Sequence, residues 1–171
     1  PLMASERTKE HPFVIGGGPC TYNPEPLADF FDLFYIGEGE THYFELMDLY
    51  KRWKASGAPR EDFLKMAASV PGIYVPSLYT VSYHEDGTVE AMMPVCPEVP
   101  AKVQKQVVTD VTNTYYPEKP VVPFIKATQD RVVLEIQRGC IRGCRFCQAG
   151  MVYRPTRERD LDMLKKSAYA M

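Results

Sequence analysis

The chain has 171 residues, 45% hydrophobic and 25% charged, with 20 Lys and Arg against 22 Asp and Glu, a net charge of −2. Those proportions exclude collagen-like, low-complexity and wholly disordered chains. No apolar run approaches the roughly 18–20 residues of a membrane helix, and no charged-then-apolar leader opens the chain, so cytoplasmic localisation away from membranes is expected.

The first stretch, Pro1 to Pro12, is polar and lacks an initiator Met, which reads as the start of an internal fragment. His11-Pro12-Phe13-Val14-Ile15 followed by Gly16-Gly17-Gly18-Pro19 predicts a short buried strand ending in a glycine turn. Asn23-Pro24-Glu25-Pro26 opens a short helix entered at proline, and Asp32-Leu33-Phe34-Tyr35-Ile36 is a second strand closed by Gly37-Glu38-Gly39-Glu40. Tyr43, Leu46, Met47, Tyr50 and Trp53 follow helical spacing, so a helix spans about 40–55 and stops before Gly57. Phe63, Met66, Ala67 and Val70 predict a shorter helix, halted by Pro71-Gly72. Strands alternating with helices point to a parallel α/β sheet, of which only two strands are evident.

Beyond Pro71 the character changes. Tyr79–Tyr83 and Val89–Met93 flank Asp86-Gly87, the signature of a hairpin. Pro94, Pro97, Pro100, Pro117, Pro120 and Pro123 then punctuate a stretch with few helical periods, as expected of extended, semi-rigid connecting chain. Arg131–Ile136 reads as a strand and about 158–170 as a helix. The charge is uneven along this course: residues 1–130 carry 11 basic and 18 acidic groups, and residues 131–171 carry 9 basic and 4 acidic. A basic end suits an anionic partner or a solvated helix face, and the second is the more ordinary explanation.

The basic end also holds three of the five cysteines, an odd number that rules out complete pairing within one chain. Cys140, Cys144 and Cys147 form Cys-x3-Cys-x2-Cys directly after the strand at 132–136. Three thiolates on a short loop can converge on one metal centre, with Gly139 and Gly143 permitting tight turns and Arg138, Arg142 and Arg145 offsetting thiolate charge. A structural zinc site wants four ligands, and no fourth Cys or His stands at matching spacing. An iron–sulfur cluster on three cysteines leaves one iron open, which is what catalysis needs. Zinc, a cluster, or a dithiol with a spare thiol are the alternatives, in a compartment where structural disulfides are not expected. Cys20 and Cys96 read as small buried apolar residues. His11, His42 and His84 read as ordinary surface or capping residues.

The run Glu135-Ile136-Gln137-Arg138-Gly139-Cys140-Ile141-Arg142-Gly143-Cys144-Arg145-Phe146-Cys147 resembles the cluster-binding loop of the radical S-adenosylmethionine superfamily, with Phe146 in the aromatic position. Gly16-Gly17-Gly18-Pro19, Asn23-Pro24-Glu25-Pro26 and Gly37-Glu38-Gly39-Glu40 resemble the C-terminal half of a cobalamin-binding domain fused ahead of such barrels, as in an uncharacterised bacterial subfamily. The resemblance implies an α/β chain in three parts. Residues 1–72 would be the C-terminal half of a Rossmann- or flavodoxin-like, cobalamin-binding-like sheet. Residues 73–127 would be a Pro-rich linker with a β-hairpin, and 128–171 the first β-α unit of a partial TIM-type barrel.

It further implies a 4Fe–4S cluster on Cys140, Cys144 and Cys147, S-adenosylmethionine as cosubstrate, and Phe146 packed beside cluster or adenine. The full-length parent would cleave S-adenosylmethionine reductively to a 5′-deoxyadenosyl radical, served by a reductant such as flavodoxin or ferredoxin. The fragment alone would be inactive, and no catalytic residue is assigned. Gly37, Glu38 and Gly39 are the candidate cobalamin-side loop, although the Asp-x-His-x-x-Gly axial-ligand pattern is absent. Arg154, Arg157 and Arg159 suit a polyanion such as RNA, or, more ordinarily, cap loops and pair with nearby acids. The rival functions are a non-catalytic zinc-binding or interaction module, and a cobalamin-dependent methyltransferase or RNA-modifying enzyme.

Overall fold

The computed structural model describes every residue except Ala127, Gln129 and Asp130, so the boundary expected between 127 and 128 lies outside the described residues. The chain divides into two compact units, Pro1–Val107 and Val108–Met171.

The first unit is built on a three-stranded sheet, β1 (Ile15–Gly16), β2 (Leu33–Tyr35) and β3 (Ile73–Tyr74), in that spatial order. β1 and β2 are parallel, as their sequence predicts, but β3 runs antiparallel to β2. The wholly parallel sheet is thereby corrected. Two helices, α1 (Tyr43–Ser56) and α2 (Arg60–Ala68), stand between β2 and β3. A single helix returns the chain for a parallel strand, whereas two successive helices turn it back once more.

α1 ends where Gly57 takes a left-handed conformation at φ 71°. The turn into α2 is fixed by Trp53 Nε1 donating to the Pro59 carbonyl at 2.8 Å. Leu46 and Trp53 of α1, Phe63, Ala67 and Ala68 of α2, and Leu33, Tyr35 and Ile73 of the sheet form one core. Phe13 seals it, with ring centroids 4.5 Å from Phe63 and 5.2 Å from Trp53. The odd residue of β2, Phe34, faces the opposite side against Phe31 and Tyr74. The short strand is therefore buried on both faces, as in α/β sheets generally.

Asp32, immediately before β2 and only 4% exposed, anchors the N-terminal segment. Its Oδ2 accepts from Arg7 at 3.0 Å, Arg60 at 2.9 Å and the Val14 amide at 2.7 Å. Arg7 also donates to the Phe30 carbonyl, and Arg60 to the His11 carbonyl while stacking 3.8 Å from the Phe13 ring centroid. A buried carboxylate persists only with this degree of pairing.

The hairpin forms as its Asp86-Gly87 turn predicts, with β4 (Tyr79–Tyr83) against β5 (Val89–Pro94) and a register shift at Ser82/Tyr83. The proline-marked stretch after it packs within the first unit as far as residue 107. Val99 lies in the core, Tyr79 donates to the Pro100 carbonyl at 2.7 Å, and Gln106 pairs with Gly37.

In the second unit β6 (Gln137–Arg138) pairs antiparallel with β7 (Arg157–Glu158), α3 (Ala149–Val152) lies between them, and α4 (Leu161–Ala170) follows. Asp160 caps α4 by accepting from the amides of Asp162 and Met163. The strand expected over 131–136 is not formed; β6 covers only Gln137–Arg138, with the Ile136 carbonyl accepting from the Arg159 amide at its edge. The backbone of 133–135 is instead bonded to a side chain: Tyr116 donates its hydroxyl to the Val133 carbonyl and accepts from the Glu135 amide. A β-strand needs a neighbour's ladder, and a single phenol substitutes for two rungs here. No helix among the described residues is long and apolar enough to cross a membrane.

Candidate metal centre

β6 leads through Gly139 straight into the cysteine loop, and α3 closes it. Gly139 has φ +94°, and a Cβ there would sit 2.6 Å from the Pro155 carbonyl oxygen and 2.7 Å from the Thr156 Cα. Only glycine lets the chain turn out of β6 while lying this close to the strand it has just paired with. Cys140 through Cys144 has no regular structure, and a turn closes with the Cys147 amide donating to the Cys144 carbonyl at 3.1 Å. All three thiols are free, Cys140 half-buried and Cys144 and Cys147 exposed.

The loop carries the three sulfurs on one stretch without drawing them into a ligand set: among the described residues no group of three or more His, Cys, Asp or Glu side chains could hold a metal ion. In donor chemistry the loop fits a cluster. It offers three unpaired thiols, no competing carboxylate or imidazole within 140–147, and a backbone held at both ends but irregular between them.

The base of the loop is held by charge. Glu135 accepts from Arg138 Nε at 2.7 Å and from Arg159 at 2.6 Å. Burial pushes the Glu135 carboxyl up, but the hydrogen bonds and charges of Arg138 and Arg159 outweigh it, leaving the group below its ordinary range. Arg138 is therefore committed to Glu135 at one end, whereas Arg142 and Arg145 lie on the exposed part of the loop.

Arg157 and Arg159 are 8% and 7% exposed. Arg157 donates to the Val108 carbonyl at 2.6 Å and to the Pro155 carbonyl at 2.8 Å. Arg159 donates to the Val111 carbonyl at 2.5 Å and to Thr114. These two guanidinium groups cap loops, whereas Arg154 stays exposed. Period-two spacing around Glu158 was the available signal: alternate residues of a strand share a face. Phe146 is 93% exposed, so neither core packing nor a ring against the loop describes it in the chain as folded. Cys20 is exposed, correcting the expectation of burial; Cys96 is partly buried against the first unit's core.

A second arrangement lies wholly in the first unit. Gly16, Gly17 and Gly18 at the end of β1 and Gly37 and Gly39 after β2 line a hollow of about 270 Å3 with Tyr35 and Tyr43. Adjacent parallel strands thus both end on glycine at their carboxyl edge, where open α/β sheets place ligands. Of the three residues expected there, Gly37 and Gly39 line the hollow and Glu38 does not. Gly37 has φ +116°, and a Cβ would meet the Gln106 backbone at 2.2 Å, so its glycine is required by the chain behind it whatever the hollow holds. Tyr35 braces the loop by donating to the Glu38 carbonyl at 3.1 Å and bonding Thr41 at 2.7 Å. The first glycine run, which carried the same resemblance in the sequence but was not assigned to the loop, lines the hollow as well.

Comparison with known proteins gives two matches. The family described as "Radical SAM proteins, N-terminal" matches residues 1–76. An uncharacterised protein of Methanocaldococcus jannaschii is 30% identical over 151 residues, covering 88% of this chain and 26% of the relative. The chain therefore spans about a quarter of the length of that curated relative. No solved structure matches. The family match falls within the first unit, away from Cys140, Cys144 and Cys147.

Proposed function

We propose that this chain carries the cluster-binding segment of a radical S-adenosylmethionine enzyme, with Cys140, Cys144 and Cys147 as the ligands of a 4Fe–4S cluster. The observation that carries the reading is the loop itself: three free thiols at Cys-x3-Cys-x2-Cys spacing, held between β6 and α3 on a glycine turn. The superfamily match at residues 1–76 supports it from a separate part of the chain. When bound, such a cluster supplies an electron to S-adenosylmethionine, opening its sulfonium to give a 5′-deoxyadenosyl radical.

The chain's own contributions are mechanical and electrostatic. Gly139 sets the direction in which Cys140 leaves the strand. The Glu135–Arg138–Arg159 network fixes the base of the loop. Arg142 and Arg145 place positive charge among the thiolates, lowering the cost of gathering three negative sulfurs. Exposed Phe146 is free to cover the cluster or the adenine once they are present. An external one-electron reductant of the flavodoxin or ferredoxin class and a cytoplasmic setting complete the reading.

Anaerobic reconstitution with iron and sulfide tests it. About four irons per chain, a broad absorbance near ~400 nm, and loss of both in Cys144→Ala are expected. One tightly held zinc and no iron uptake would instead identify a zinc-binding module.

The glycine-lined hollow favours a second reading for the first unit, a cobalamin-side surface at Gly37 and Gly39. Cobalamin retained at micromolar concentration by the full-length protein, and lost in Gly39→Val, is the expected result. No retention by the unsubstituted protein would defeat it.

A further inference from the structure

A hollow of about 420 Å3 lies wholly in the first unit, between the N-terminal segment, the 3-10 helix Glu25–Phe30, the start of α2 and the hairpin. That volume falls in the range of small-molecule sites. One wall is aromatic. The rings of Tyr74 and Tyr79 tilt against each other with centroids 5.1 Å apart, and half-buried Phe31 lines the same space. Leu64, Val81 and Met92 add aliphatic and thioether surface.

The charges around the hollow differ in their commitments. Arg7 and Arg60 line it, but both guanidinium groups are engaged by Asp32 and by backbone carbonyls, which leaves little for an anion. Glu25, Asp29 and Glu61 line it too, and none of them has an ion-pair partner among the described residues. Glu25 is nonetheless held in place, because its Oε1 accepts from the Tyr74 hydroxyl, 49 residues along the chain. Burial, and then the Glu25 carboxylate, pushes the Tyr74 hydroxyl above its ordinary range, so the phenol keeps its proton and remains the donor.

On open surface an unpaired carboxylate is simply hydrated. Here the carboxylates border aromatic and aliphatic walls, and among the described residues they do not gather closely enough to hold a metal ion. A cation that suits the hollow therefore carries its charge on a carbon body. Ammonium groups meet carboxylates through charge-assisted hydrogen bonds and ring faces through cation–π attraction. Methylenes cover the apolar side.

We propose that this hollow binds an aliphatic polyamine, with Glu25 as the main charged contact and Tyr74 and Tyr79 as the ring wall. Glu25 has that place because it is tied across the hollow to a buried side chain. The assignment does not rest on the cysteine loop, which belongs to the other unit.

Calorimetric titration of the full chain with spermidine tests it. One saturable site is expected, weakened roughly tenfold in Glu25→Gln, the scale of one hydrogen bond to a charged group. Glutamine can still accept from Tyr74, so the substitution removes charge and keeps the tie. Glu85→Gln, at the exposed hairpin turn and outside the hollow, should bind as the unsubstituted protein does. In carbon-13 methyl spectra the Met92 signal should shift on titration, while that of Met163, in the second unit, should not. Absence of saturable binding overturns the assignment. Equal weakening by Glu25→Gln and Glu85→Gln, or shifts at both methyls, overturns it in favour of diffuse attraction to an acidic surface. Displacement of spermidine by equimolar magnesium at matched ionic strength overturns it in favour of a divalent-metal site. Iron uptake is a separate readout, so failure here is distinguishable from failure of the cluster reading.

Discussion

The two units are held together by different forces. The first has an apolar core in which α1, α2 and the sheet bury Leu33, Leu46, Phe63, Ile73 and Val75 almost completely. The second has three buried apolar side chains among its described residues, Val108, Val111 and Val152. Its buried interior also contains two arginines, whose guanidinium groups bond to backbone carbonyls up to 49 residues away. Hydrophobic burial is non-directional and tolerates adjustment. Hydrogen bonds from a planar guanidinium fix direction as well as distance. A core suits a unit that must simply be stable; directional bonds suit one that must present a loop in a set geometry.

Four substitutions or conditions bear on that contrast. The largest effect is expected from Phe63→Ala, which removes a ring packed on Phe13 and Trp53 and should cost about 3–5 kcal/mol by chemical denaturation. Loss confined to the first unit's transition would sharpen the division; simultaneous loss of both would break it. Arg159→Met keeps much of the volume but removes the bonds to Val111, Thr114 and Glu135. It should cost about 2 kcal/mol, because it leaves buried acceptors unpaired, and hydrogen exchange should rise at 108–114 while the first unit keeps its protection. No change in exchange would show that the apolar residues suffice.

Acidity separates the units more mildly. The Glu135 carboxyl titrates below its ordinary value in the folded state, so its contribution is fully present above about pH 4.3 and is lost as pH falls through the folded value. Melting of the second unit should weaken below about pH 4, and Glu135→Gln should lower stability at neutral pH while flattening that acid limb. An unchanged limb would remove Glu135 from the cause. The smallest effect belongs to Phe146→Ala. At 93% exposure the ring supports no core, and the unloaded chain should melt within about 0.5 kcal/mol of the original. A larger loss would mean that the ring is buried in solution.

The same contrast explains which features could be read from the residues. The first unit's elements were legible where local chemistry decides them. Gly57 ends α1, Asp86-Gly87 turns the hairpin, and the apolar spacing of Leu46, Tyr50 and Trp53 marks a helical face. β3 was not legible, because two residues, Ile73-Tyr74, are too short to show an alternating pattern, so only two strands stood out although both intervening helices did. In the second unit Val132, Val133 and Ile136 have every local mark of a strand yet remain exposed, since strand formation depends on a partner that local composition does not specify. The cysteine spacing was plain. Loop capping by Arg157 and Arg159 was the ordinary expectation and holds, but their carbonyl partners at Val108 and Val111 lie far along the chain and were not legible.

The bond from Arg159 to the Val111 carbonyl spans 48 residues, and the whole cysteine loop lies inside the ring that this bond closes. Ring closure on that scale carries an entropic penalty that grows only with the logarithm of length. Residues added within the ring, at its proline-rich stretch for instance, would therefore burden the closure little. The clasp is not single, since Arg157 to the Val108 carbonyl and the Asp160 amide to the Thr112 hydroxyl close nearly the same ring. Loss of Arg159 alone would therefore loosen the circuit without opening it. Tolerance to insertion and redundancy at the clasp are thus two sides of the same topology.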